Sequence, residues 1–197
     1  MALTLSNADI VGRLKLLADE HLKADSGTTA SIVCASLIDE PTVANQFVCF
    51  ISGDNVGVDR VISSFTDSTG TIGFDALDTT VVNTDEFCIV KTGFQSDATQ
   101  AYNVMKNDLR NRNYDIDLFL TYSQLKEMHI YKTIELICAS LMNDGDDQDA
   151  YYVNYKRFEK LYGLETVNML ADYDADESGD ISTSEEEQPI RQAYMVR

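Results

Sequence analysis

One stretch of the chain carries residues whose types and spacing could do chemistry. In DADESGDISTSE, Asp174, Asp176, Ser178, Asp180, Ser182 and Glu185 fall at positions 1, 3, 5, 7, 9 and 12 of a twelve-residue calcium loop. Gly179 stands at position 6 and Ile181 at position 8. Ca²⁺ takes six to eight hard oxygens in a flexible shell. Alternate side chains of a tight turn can supply them, the glycine lets the backbone reverse, and the final glutamate closes the shell with two oxygens. Asp180 would offer its backbone carbonyl and Ser182 a water-mediated contact. With a neutral serine at position 5, only three carboxylates bind directly, which points to micromolar or weaker affinity. The same composition also describes a solvated acidic linker.

Two features set this loop apart from paired sensor loops. It is single, because NDGDDQD at 143–149 lacks the central glycine in register and the closing Glu and reads as an acidic turn between helices. Pro189 follows Glu185 by four residues, where a long exiting helix would lose a donor and meet a ring clash. The loop is therefore expected to lead into an extended tail. There Ile190, Gln192, Tyr194 and Val196 alternate with Arg191, Ala193, Met195 and Arg197, the period of a short strand.

No catalytic constellation accompanies it. Of the two histidines, His129 lies in the apolar stretch EMHIYKTIELIC and reads as a core or boundary residue, while His21 lies among Asp19, Glu20 and Lys23 and reads as surface. Nucleophile-elbow, phosphate-loop, dinucleotide and zinc-protease motifs are missing from the sequence, so the reading is not an enzyme. Fifteen Lys and Arg against 33 Asp and Glu leave a net charge of −18 and no basic stripe to grip phosphates, which argues against tight DNA binding. Cys34, Cys49, Cys88 and Cys138 are widely spaced in apolar segments and read as reduced core thiols. The chain shows neither an export signal nor an apolar run long enough to span a bilayer, and the expectation is a cytoplasmic site of assembly.

The elements that would position the loop follow from periodicity. Ser6 or Asn7 can cap an amphipathic helix reaching about Ala24, through Ile10, Leu14, Leu17 and Leu22. From Thr28 to Phe94, short β-branched and aromatic runs separated by glycine turns predict strands at 30–37, 47–52, 59–65, 71–74 and 87–91. Helical spacing returns from Ser96 and again from Ser123, with Leu125, Met128, Tyr131, Ile134, Leu136, Ile137 and Leu141 on a broad buried stripe. It returns once more after Asp147 or Asp149, through Tyr152, Tyr155, Phe158, Leu161, Leu164, Val167 and Leu170. The fold class is therefore α+β: a small helical bundle with an inserted β-rich module, barrel-like or sandwich-like, a single EF-hand-like calcium loop and an extended C-terminal arm. The expected divisions are a helical core at 1–27 and 95–172, the β module at 28–94, the calcium loop at 173–186 and the arm at 187–197.

The order of these parts resembles the head-to-tail connector, adaptor or neck, proteins of tailed bacteriophages. The residues that carry the resemblance are YSQLKEMHIYKTIELICASL followed by an acidic turn and a Tyr-rich helix, and the calcium-type loop before a C-terminal arm. FISGDNVGVDRVISSFTDSTGTIGFDAL closing with TDEFCIV is similar to small β modules of phage virion proteins. Together they span residues 5–197. The resemblance implies a structural virion protein at the neck, forming a ring of about twelve copies between the portal protein and a tail or stopper protein. It implies an arm of Ile190, Arg191, Gln192, Tyr194, Val196 and Arg197 that binds the portal, and a negatively charged lumen through which DNA slides without specific binding. Calcium would neutralise Asp174, Asp176 and Glu185 and aim the arm. The alternative is a stand-alone calcium-stabilised module whose β insert binds a protein partner.

Overall fold

A computed structural model describes residues 5–18, 20–119, 123–142, 149–168, 170–171, 173–174 and 188–189. The protein is mixed α and β, with four α-helices among the described residues and a curled, seven-stranded antiparallel sheet. It divides into two compact units, Ser6–Gln95 and one built on Ser96–Arg197.

The first unit opens with α1, Asn7–Arg13. Ser6 is the N-cap: its side chain accepts the Asp9 N–H, and the Asp9 carboxylate accepts the Ser6 N–H, a reciprocal capping box. The helix expected to run to Ala24 stops here. A 3₁₀ turn at Lys15–Leu17 follows, and then strand β1, Glu20–Lys23. Leu22 and Ala24 are buried while His21 and Lys23 are exposed. That is a period of two, and pairing with a distant strand outweighs the helical spacing of the leucines. Residues 6–27 consequently belong to the β-rich unit, not to the helical core in which 1–27 was expected.

The remaining strands are β2 (Ser26–Gly27), β3 (Ser31–Val33), β4 (Phe47–Phe50), β5 (Asp59–Thr66), β6 (Thr71–Phe74) and β7 (Glu86–Val90). The expected strand at 30–37 is shorter than the sequence suggests, since Ala35–Leu37 forms a 3₁₀ turn. The sheet order is β1-β7-β4-β5-β6-β3-β2, so its two edge strands are separated by only Ala24 and Asp25. The Ala24 N–H bonds Asp85 O at 3.0 Å on one side, and the Asp25 N–H bonds Val33 O at 2.9 Å on the other. A sheet whose edges are joined by two residues must curl, and the concave side holds Ile32, Val48, Phe50, Ile62, Ile72 and Phe87, all fully buried. The opposite faces of β4 and β7 present Cys49, Cys88 and Val90 to Ala8 and Val11 of α1. Both faces of these strands are covered, which is why QFVCF and EFCIV read as continuous apolar runs.

All four cysteines are free and buried. Cys49 and Cys88 are directly opposite in register, the Cys88 thiol donates to the Cys49 carbonyl oxygen at 3.7 Å, and the neighbouring Cys88 side chain together with burial pushes the Cys49 thiol far above its ordinary range. Burial also pushes the Cys138 thiol up to about 12.

The second unit contains α2 (Gln95–Arg110), α3 (Ser123–Leu141) and α4 (Ala150–Asn168). The Asp149 carboxylate caps α4, accepting the N–H groups of Tyr151 at 2.6 Å and Tyr152 at 3.3 Å. Met105 and Leu109 of α2, Leu125 and Met128 of α3 and Tyr162 of α4 form the core with Ile116 and Phe119. Leu141, expected on a buried stripe, is 48% exposed, and of the apolar residues at helical spacing along α4, Leu164 is 48% and Val167 58% exposed. Their sequence spacing is helical, but α3 and α4 turn other faces toward each other, so apolar character alone did not identify the packed side. No described helix is long and apolar enough to cross a membrane.

Candidate functional site

The described residues on either side of the acidic segment pair with each other within the helical unit. The helix expected to reach Leu170 ends at Asn168, and Leu170–Ala171 instead forms β8, because its backbone pairs antiparallel with β9, Gln188–Pro189, in the register Leu170↔Pro189 and Ala171↔Gln188. The backbone on either side of the segment is thus closed into a two-residue ladder. At 188–189 the chain is extended, as expected where proline would break a helix. Of the six residues expected to hold calcium, Asp174 lies among those described. Asp176, Ser178, Asp180, Ser182 and Glu185 lie outside them, as do Ile190, Arg191, Gln192, Tyr194, Val196 and Arg197 of the arm. Among the described residues no group of three or more His, Cys, Asp or Glu side chains could hold a metal.

Asp174 is 3% exposed, and its N–H bonds Leu118 O at 3.1 Å. Tyr173, just before it, forms an antiparallel bridge with Phe119. The Tyr173 ring packs 5.0 Å from both Tyr114 and Phe119, and its hydroxyl accepts the Asp115 N–H at 3.1 Å. The platform beneath is the α2–α3 connection. Asn113, at a φ of 67°, reverses the chain after α2, and Asp115 caps the 3₁₀ turn Ile116–Leu118 by accepting the Asp117 N–H at 3.1 Å. Lys106 of α2 holds Asp117 at 3.1 Å. Asp174, the first carboxylate of the motif, is therefore buried next to an aromatic cluster, and carboxylate and hydroxyl oxygens of the kind the motif carries are the hard donors that Ca²⁺ takes.

Sequence reasoning did not identify Tyr114, Asp115 or Tyr173 as parts of this site. A signal was present: the dipeptide Tyr-Asp occurs at 114–115 and again at 173–174.

Two other polar groups of the helical unit, His129 and Tyr162, tie one helix to another. His129, fully buried on α3, donates its Nε2–H to Ala98 O of α2 at 2.7 Å. The Tyr162 hydroxyl donates to Asp108 Oδ2 at 2.6 Å, and Lys132 lies 4.9 Å from the Tyr162 ring centre while bonding Glu135 at 2.7 Å. Burial, then the bond to Asp108, pushes the Tyr162 phenol well above its ordinary range. His21, in the other unit, is exposed, with Nε2 3.2 Å from Lys15 O.

A pH dependence follows from His129. Desolvation holds its imidazole below the usual value of 6.5 despite the bond to Ala98. The unfolded chain therefore binds the proton first as pH falls, so this residue's contribution to stability is complete above about pH 6.5 and is lost on acidification below it. Urea titrations between pH 5 and 7.5 are expected to show stability rising with pH, with His129→Gln lowering stability overall and removing up to one proton from the slope.

Compared with known protein families, curated proteins and solved structures, the chain matches none of them.

Proposed function

We propose that the protein is a structural component of a tailed-bacteriophage virion: a head-tail connector whose copies form a ring between the portal and the tail. The ring would surround DNA with an acidic wall. The single observation that carries this reading is the ladder of Leu170–Ala171 with Gln188–Pro189, which pairs the chain just before the acidic motif with the chain just after it. A projecting arm needs such an anchor. The net charge of −18 supports the conduit role, because a strongly negative wall repels phosphates wherever they lie and offers DNA no place to condense.

In this reading Asp174, Asp176, Ser178, Asp180, Ser182 and Glu185 hold calcium. The ion would supply positive charge that offsets three carboxylates in one turn. The chain's own contribution is the platform under Tyr173 and the closed ladder, which set the position of Asp174 before any ion binds.

Two measurements test the proposal. Deletion of 192–197 leaves the circular dichroism spectrum and melting temperature unchanged and abolishes capture by purified portal protein; undiminished capture would count decisively against the connector assignment. Calcium at a hundredfold excess over its dissociation constant raises stability by about 2.7 kcal/mol relative to chelator. An identical melting curve, with no heat of binding by calorimetry, removes the metal site.

A further inference from the structure

The outer face of α4 is an unusual surface on so acidic a chain. Val153, Leu164 and Val167 are 53%, 48% and 58% exposed, and they recur at helical spacing along one side. Lys156, Arg157 and Lys160 lie between them on the same side and are also exposed. The Lys156 ammonium bonds Glu159 at 3.1 Å, and Arg157 leans on the Phe158 ring at 5.5 Å. Three apolar and three cationic side chains thus share one helix face in a protein carrying −18.

The Ser6–Gln95 unit carries a surface of the opposite kind. Ile38 is 41% exposed at the end of the 3₁₀ turn Ala35–Leu37. Asp39 and Glu40 follow it, and both are exposed. Asp25, also exposed, reaches the start of the same turn, where it accepts the Ala35 N–H at 2.6 Å. Exposed Asp67 begins the 3₁₀ turn Asp67–Thr69, whose capping Gly70 packs against Cys34 and Ile38. An apolar tip with four acidic neighbours mirrors an apolar stripe with three cations.

We infer that the α4 face of one copy docks on the Ile38 corner of a second copy of this chain. Copies at −18 repel each other at long range, so contact is favoured where cations locally relieve the field and apolar groups are freed from water. A two-fold contact of α4 on α4 would set Lys and Arg against Lys and Arg. The contact is therefore head-to-tail, the kind that repeats and can close into a ring. The proposal names the self-contact that the connector reading requires and rests on that reading to that extent.

The test mixes unlabelled and ¹⁵N-labelled full-length chains and joins touching ammonium and carboxylate groups with a zero-length carbodiimide. Mixed-isotope peptides linking Lys156 or Lys160 to Asp25, Asp39, Glu40 or Asp67 are expected. Links found only within one isotope, or only at other residues, overturn the proposal. In sedimentation, Lys156→Glu with Lys160→Glu weakens self-association at least tenfold, and adding Asp39→Lys with Glu40→Lys restores it. An unchanged association in the charge-reversed chain overturns this interface while leaving the connector reading to the portal-capture test. A natural chain that stays monomeric up to about 1 mM also overturns it.

Discussion

Gly70→Ala lowers the melting temperature of the Ser6–Gln95 unit by at least about 10 °C. Gly70 ends the 3₁₀ turn at a φ of 58°, in the left-handed region. Holding alanine there costs about 1–2 kcal/mol. The added Cβ would also land on the backbone carbonyl oxygen of Cys34, and backbone cannot swing aside as a side-chain end can. Nor is Cys34 free to retreat, because its N–H bonds Gly70 O at 3.0 Å. Strain and overlap together amount to about 3 kcal/mol, and each kcal/mol shifts the transition of a unit this size by roughly 4–8 °C. Gly12 in α1 provides the control: nothing lies within 4 Å of its would-be Cβ, so Gly12→Ala stabilises the same unit by about 0.5–1 kcal/mol. Thermal melts of both variants check the pair, and a Gly70→Ala transition within a few degrees of the natural one refutes the account.

Tyr173→Ala destabilises the helical unit by about 2–4 kcal/mol, whereas Tyr173→Phe costs about 1 kcal/mol. Alanine removes the ring that packs on Tyr114 and Phe119 and leaves a gap where the loop enters. Phenylalanine keeps the packing and loses only the acceptor for the Asp115 N–H. Under the proposed calcium site, Tyr173→Ala, next to Asp174, would also suppress any rise in melting temperature on adding calcium, while Tyr173→Phe would retain most of it. Urea unfolding with calcium and with chelator reads both effects. Equal costs for the two variants would mean that the aromatic platform contributes nothing.

Some of this architecture was legible from short-range chemistry alone. The capping oxygens of Ser6 and Asp149, the β-branched run of Asp59–Thr66 and the turn at Gly70 each act within a few residues, so their sequence meaning survives in the fold. The same holds for buried cysteines within apolar runs. The acidic motif was equally legible as a pattern, and Asp174 is the part of it among the described residues.

What the amino-acid order determined by itself is therefore the charge, the motif spacing, the caps and the alternation of strand-rich and helix-rich texture. Tertiary structure alone decided that His21–Lys23 joins a strand, because its partner β7 lies more than sixty residues away and local periodicity cannot weigh a ladder with a distant segment. It alone turned Leu164 and Val167 outward, because which side of an apolar helix is buried depends on where its neighbours lie. And it alone seated Tyr173 on Tyr114 and Phe119, since an aromatic contact is made by whichever rings folding brings within reach, however far apart the chain has placed them.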